Sequence, residues 1–311
     1  MNSKPKKRSF LKRSVHRVAS WIVVALIQIL SLLPLSAIRL LGKGMGTLFY
    51  WLPSHARFLA QCNLRAVYPQ LSEQEHKKLL KATLQHNAQS ILELGAMWRW
   101  PKEKVENSVR EVKGQELLDA AYAKGKGVLL LGPHIGNWEV AGSYISMNYP
   151  STIMYRPPNL QGLEKSMRAA RTRFGATLVP TDLRGIRQII KALKENQLSA
   201  ILPDQDAGKN GVHAPFMGVP ARTMTLVSKL LQKSEAECLY LIALRHPQSG
   251  FVLHILPADR QALAAEDPLA AASALNQGIE TCIRLAPEQY LWTYRRFRGQ
   301  PEGAPNIYRK R

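Results

Sequence analysis

The segment Val128-Leu-Leu-Leu-Gly-Pro-His134-Ile-Gly-Asn-Trp-Glu139 carries a histidine and, five residues later, a glutamate. An imidazole is the side chain best suited to proton transfer near neutral pH. A carboxylate on one ring nitrogen fixes the tautomer that leaves the other nitrogen free to accept a proton. His134 and Glu139 therefore read as a general base with its orienting acid, acting on a substrate hydroxyl. None of the three cysteines, Cys62, Cys238 and Cys282, and no nearby serine forms a convincing nucleophile pair, so a covalent enzyme intermediate is not called for.

Such a pair needs a rigid frame. Gly127 to Leu131 is a short apolar run bounded by Gly125, Gly127 and Gly132-Pro133, the pattern of a buried strand, and His134 falls just past its end. Asn137 is suited to cap a helix that continues through Val140, Ala141 and Tyr144, which puts Glu139 in the first turn, where the helix dipole favours its charge. In one unbroken helix, residues five apart diverge by about 140°. A turn at Ile135-Gly136 removes that obstacle, and backbone N–H groups near Gly136 and Asn137 are the expected donors to a developing oxyanion.

Two further stretches could bind substrate. Met154-Tyr-Arg156-Pro-Pro follows an apolar strand and leads to a helix bearing Lys165, Arg168, Arg171 and Arg173, where guanidinium groups can grip phosphate with paired donors. Ile201-Leu-Pro-Asp204-Gln-Asp206 ends another apolar strand and opens into a Gly- and Pro-rich loop, Ala207 to Ala221. Asp204 and Asp206 invite a metal, but Gly208 occupies a ligand position of an EF-hand loop and no further acidic cluster follows. An Asp-x-Asp glycosyltransferase stays open on these residues alone, although it would leave His134 and Glu139 without a task.

The His-x4-Glu spacing after an apolar strand resembles the glycerolipid acyltransferase superfamily. The fuller string Pro133 to Glu139 looks like the late (secondary) acyltransferases of lipid A biosynthesis, as do Asp204-Gln-Asp206, Pro215-Phe-Met-Gly218, Thr223 and Tyr290-Leu-Trp-Thr-Tyr-Arg-Arg-Phe297. The resemblance runs from the N-terminal apolar helix nearly to the end of the chain. It implies transfer of a fatty acyl chain from an acyl carrier protein thioester to a hydroxyl of a lipid A precursor, with His134 and Glu139 as the base dyad and no cofactor or metal. It further implies that Arg171, with Arg156 and Arg168, holds acceptor phosphate, that Asp204, Asp206 and Asn137 belong to the substrate site, and that an apolar residue at Met217, commonly Phe in the family, lines the acyl tunnel. Another glycolipid or lysophospholipid acceptor, or a membrane-bound thioesterase, remains the alternative.

Composition agrees with work at a membrane. The chain has 43 Lys+Arg against 22 Asp+Glu, a net charge of +21 that draws anionic partners. Anionic lipid headgroups, phosphorylated saccharides, an acidic carrier protein and nucleic acid all fit that charge, but no zinc spacing, RNA-binding aromatic signature or basic zipper supports nucleic acid. Seven basic residues from Lys4 to Arg17 precede Val18 to Ile38, a stretch free of charge. That pattern predicts an N-terminal hydrophobic anchor helix with its N-terminus in the cytoplasm and the catalytic domain facing the same side of the bacterial inner membrane. Pro34 leaves open an anchor lying in one leaflet, and Leu35-Ser-Ala37 is a weak cleavage-like site.

The division expected is residues 1–41 for the basic N-terminus and anchor, and 42–311 for one acyltransferase domain. Ser72-Glu-Gln-Glu75 is a capping box for a long helix to about Trp98, in a helical region expected to pack on the membrane side. Strand candidates at Gly127–Leu131, Ser151–Tyr155, Thr177–Val179, Ser199–Leu202, Leu239–Leu244 and Phe251–Ile255 alternate with helical stretches such as Leu183 to Asn196. The fold class predicted is α/β, a mixed sheet flanked by helices. A basic surface including Arg295, Arg296 and Arg298 is the expected dock for the carrier protein.

Overall fold

A computed structural model describes residues 22–158 and 161–309. Its centre is a seven-stranded sheet of order β1-β9-β8-β2-β5-β3-β4. The strands are β1 (Val109–Lys113), β2 (Val128–Leu131), β3 (Ser151–Tyr155), β4 (Thr177–Pro180), β5 (Leu198–Ile201), β8 (Glu237–Arg245) and β9 (Phe251–Pro257). All neighbours pair in parallel except β8 with β9, so the sheet is mixed, as expected from the alternating pattern. β2 explains why a short apolar run suffices for a central strand: Leu129 and Leu131 join the core on one face, Val128 and Leu130 the core on the other.

Two sheet elements were not expected. β1 is an edge strand with mostly solvent-facing residues and little apolar pattern. The stretch read as a loop contains a hairpin, β6 (Gly211–Phe216) and β7 (Val219–Met224), in which Pro215 sits opposite Pro220. A two-stranded ribbon tolerates proline because its outer edge needs no donor. Met217 (φ 50°) and Gly218 (φ 79°) make its turn, the left-handed pair that a tight hairpin requires.

The N-terminal segment departs from the anchor expected. Residues 18–21 lie outside the described residues. Residues 22–32 form helix α1, the chain bends at Leu33-Pro34, and α2 (Leu35–Trp51) follows. Proline supplies no N–H and pushes the residue before it out of helical geometry, which divides the apolar stretch in two. No helix among the described residues is long and apolar enough to cross a membrane. Ile27 and Ile38 are buried against the domain, while Ile22, Leu26, Ile29, Leu32, Leu40, Leu41, Leu48, Trp51 and Leu52 are exposed. The 41/42 division falls inside α2, which packs along α4 (Glu73–Arg99). The capping box is as expected: Ser72 accepts from the Glu75 backbone and the Glu75 carboxylate accepts from Ser72.

α4 also buries a charge. Glu93, wholly inaccessible, accepts from Arg245 of β8 at 2.8 and 3.0 Å, from Arg39 of α2 at 3.0 Å and from the Asn137 side chain at 2.9 Å. Burial would raise its pKa, but the two guanidinium groups outweigh it and the carboxyl titrates below its usual range. Two turns earlier on α4, His86 is pushed down to about 4, first by burial and then by the Arg245 charge.

Unfolded, His86 takes up its proton near pH 6.5, and folded near 4. Between those values the native state binds fewer protons, so stability is whole above pH 7 and falls as the solution is acidified through the window. His86→Gln should remove that share: the native protein should lose about 2.5 kcal/mol more than the variant between pH 7.5 and pH 4.5 in urea unfolding. An equal loss in both would mean that His86 titrates normally in the fold.

Candidate active site

β2 and β5 are parallel neighbours with Leu131 opposite Ile201. Both chains leave the sheet at one level, and three residues beyond each paired position stand His134 and Asp204. The crevice outside the carboxyl ends of parallel strands is where α/β sheets place their sites. His134 Nδ1 lies 2.7 Å from Asp204 Oδ1, and the His134 backbone N–H donates to Oδ2 at 2.9 Å, so one carboxylate holds both ring and main chain. Asp204 is 2% exposed. Burial alone would raise its pKa, but the imidazole and the backbone donor more than compensate and keep it below the usual carboxylate value. An ionised Asp204 accepts a hydrogen bond from Nδ1–H, which fixes the tautomer and leaves Nε2 with a lone pair. The Gln205 amide nitrogen lies 3.3 Å from that Nε2, and the Trp138 ring meets the imidazole edge-on at 5.0 Å.

Glu139 therefore does not orient His134; that contact belongs to Asp204. The reason lies in α7 (Trp138–Asn148), the helix that follows α5 (Lys102–Glu106) and α6 (Gln115–Ala123). Asn137 caps it as expected, accepting from Val140 at 3.2 Å, and Glu139 in its first turn points to α8 (Gln161–Thr172), where it makes a two-point ion pair with Arg171. Burial would raise the Glu139 pKa and lower that of Arg171; their mutual attraction reverses both shifts.

The turn between His134 and Glu139 is built into the domain. Gly136 has φ 61°, and a Cβ there would meet the Ala243 carbonyl oxygen at 2.0 Å, so no other residue fits. Its N–H donates to Gln289 and that of Asn137 to Ala243, which leaves neither as the oxyanion donor expected from sequence. The Gly136 carbonyl accepts from Ser90 and Arg245, each at 3.1 Å. The buried Glu93 group and the turn between His134 and Glu139 are thus one hydrogen-bonded unit.

Beside the pair opens a largely apolar cavity with an empty volume of about 710 Å³, part of it continuous with solvent. Trp138, Glu139 and Arg171 belong to its polar end, and Ile145, Ile153 and Phe174 to its apolar wall. Gly142 of α7 faces it, and a Cβ at that position would meet nothing within 4 Å.

The other expected residues scatter. Arg156 is exposed on the loop after β3, and Arg168 is exposed with its guanidinium over the Tyr155 ring at 5.5 Å. Asp206 accepts two bonds from Arg222 at 2.9 and 2.8 Å, a clamp on the hairpin. Met217 sits at the hairpin tip, donating its N–H to Glu280, and lines no part of the cavity beside Glu139. Arg296 is not a surface group: it is 1% exposed and donates to the Arg222 carbonyl and to Thr223. Arg295 and Arg298 are exposed.

The family model for bacterial lipid A biosynthesis acyltransferases matches residues 4–299. The chain belongs to that family. Similar members are a lipid A biosynthesis lauroyltransferase of Escherichia coli (strain K12), 28% identical with 93% of this chain and 94% of the relative covered, and a palmitoleoyltransferase of the same strain with the same figures. A lipid A biosynthesis acyltransferase of Haemophilus influenzae is 30% identical, with 93% of each chain covered.

In this family member, sequence reasoning missed Glu93, Ser90, Arg245, Gln205 and Gly142 as parts of the site. A glutamate inside Ile91-Leu-Glu93-Leu-Gly-Ala-Met97 was the legible sign, because an isolated carboxylate in an apolar stretch must find a buried partner. Gln205 and Gly142 carry no comparable mark.

Removing one member of the Glu139–Arg171 pair strands a buried carboxylate. Arg171→Met should destabilise the fold by about 3 kcal/mol, at the low end for a broken buried pair because the guanidinium retains some solvent contact. Adding Glu139→Gln should recover much of that loss in urea unfolding. A double variant as unstable as the single one would show that packing, not charge, holds α7 to α8.

Proposed function

We propose that this protein transfers a fatty acyl chain from an acyl carrier protein thioester to a hydroxyl of a lipid A precursor, the secondary acylation of lipopolysaccharide biosynthesis. The observation that carries the reading is an oriented histidine whose ring packs on Trp138, a residue that lines a largely apolar cavity. Asp204 accepts a hydrogen bond from the Nδ1–H of His134, and Nε2 removes the proton from the acceptor hydroxyl to give the imidazolium, displacing its contact with Gln205. The alkoxide attacks the thioester carbon, the tetrahedral intermediate expels the carrier thiolate, and the imidazolium returns a proton to that sulfur. An oriented base contributes about 10²–10⁴-fold, and positioning two amphiphiles supplies much of the rest.

The donor's acyl chain occupies the cavity, with its thioester near Trp138. Charge developing on the thioester oxygen is met by the first N–H groups of α7, those of Trp138 and Glu139, which have no backbone partner among the described residues. Arg171, fixed by Glu139, adds positive charge at the same end, while exposed Arg156 and Arg168 reach for acceptor phosphate.

The protein meets the cytoplasmic face of the bacterial inner membrane through the exposed apolar side of α1 and α2, lying in one leaflet. Support comes from the apolar stripe Ile22, Leu26 and Ile29, spaced four and three residues apart along α1, together with the basic residues that precede it in sequence. Arg295 and Arg298 remain as the exposed part of a carrier-protein dock.

His134→Ala should abolish transfer, and Asp204→Asn should lower turnover by about 10³–10⁴-fold by presenting the wrong tautomer. Both are measured with an acyl carrier protein donor and a lipid A precursor by mass spectrometry. Full activity in Asp204→Asn would sink the dyad. Free fatty acid released at the native rate without acceptor would favour a thioesterase instead.

Gly142→Leu should shift the product toward shorter acyl chains when donors of different length compete, with Gly142→Ala intermediate. An unchanged product distribution would place the acyl chain elsewhere.

A further inference from the structure

A second cavity, with an empty volume of about 480 Å³, lies where the end of α2 meets α3 (His55–Val67) and the first turns of α4. Arg57, Gln61, His76 and Lys77 line it, with Tyr50 at its edge toward α2. Arg65 and Glu73 also line it, but they neutralise each other through a two-point contact at 2.8 and 2.9 Å. Arg57 and Lys77 have no acidic partner within 4.0 Å among the described residues, so the cavity carries excess positive charge. The Gln61 amide and the Tyr50 hydroxyl likewise make no hydrogen bond among the described residues, and the Arg57 guanidinium is steadied over the Tyr50 ring at 5.5 Å. Unspent donors around a cationic concavity are the chemistry of a phosphate site.

The neighbouring surface decides which phosphate. The Tyr50 ring packs edge-on against Trp51 at 5.2 Å, and Trp51 is 71% exposed beside exposed Leu48 and Leu52. An exposed indole flanked by apolar side chains is the signature of a membrane–water boundary. We propose that this cavity holds the phosphate of an anionic membrane-lipid headgroup, with the lipid's chains running along Leu48, Trp51 and Leu52. The proposal rests on the reading of the α1–α2 face as membrane-facing. The site is separate from the catalytic crevice: from Leu80, at its inner wall, to Ser90, at the catalytic turn, α4 covers about 15 Å. A lipid clamped there would fix the height of the crevice above the bilayer.

Full-length protein is floated with phosphatidylcholine vesicles with and without phosphatidylglycerol, comparing the native chain with Arg57→Gln, Arg57→Lys, Lys77→Gln and Lys43→Gln. Lys43 is exposed on α2 and lines no part of this cavity. The gain in binding given by phosphatidylglycerol should fall about fivefold in Arg57→Gln and in Lys77→Gln. It should fall measurably in Arg57→Lys, which keeps the charge but loses the forked donor, and change little in Lys43→Gln. Equal losses in Lys43→Gln and Arg57→Gln, with Arg57→Lys native-like, would overturn the site in favour of diffuse attraction. Displacement from the vesicles by inorganic phosphate at the same phosphate concentration would overturn the lipid assignment in favour of a free anion. Transfer between detergent-dispersed donor and acceptor should be native in Arg57→Gln, so a failed lipid site is distinguishable from a failed acyltransferase.

Discussion

The in-register parallel pairing of β2 with β5 is the constraint on which the site depends. Leu131 faces Ile201, and the two chains then run on by the same three residues, so an imidazole and a carboxylate seventy positions apart arrive within one hydrogen bond. A slip of one residue would turn every side chain of a strand to the opposite face. The register is held at the strand ends, where the Val128 N–H donates to the Gln197 carbonyl and the Gly132 N–H to the Ile201 carbonyl, and this sets the distance between His134 and Asp204. The core and the chemistry are fixed by the same pairing.

A second layer stiffens what the sheet aligns. Glu93 is costly to bury, and its cost is offset because it holds α2, α4, β8 and the turn at Gly136-Asn137 at once. Buried ion pairs add little net stability, but losing one partner is expensive, so such a cluster locks relative positions more than it strengthens the fold. Here it links the helix with the exposed apolar face to the turn that follows His134. Glu139 and Arg171 do the same for α7 and α8 at the cavity end.

The division of carboxylates follows from this geometry. Two acids near the histidine, Asp204 and Glu139, have environments that both keep them ionised, yet through different partners: an imidazole and a backbone N–H for one, a guanidinium for the other. One fixes the imidazole of His134, the other holds a cation at the polar end of the apolar cavity. A single motif thus serves two tasks although its two residues do not touch.

Much was legible in the sequence because it depends on neighbours along the chain. The buried run before His134, the Asn137 cap, the Ser72–Glu75 capping box and the alternation of strands with helices are local patterns, and they determined an α/β sheet with a histidine at a strand end. The His-x4-Glu string and its companions also determined the family. What sequence left open was who meets whom. Strand order made Asp204 the partner of His134 and left Glu139 to Arg171, Pro34 turned an apparent span into two helices with one exposed face, and packing took Arg296 and Met217 out of the roles their residue types suggested. Those outcomes rest on contacts between residues far apart in the chain, whose pairing is chosen by the burial of the whole core and by the satisfaction of its buried charges.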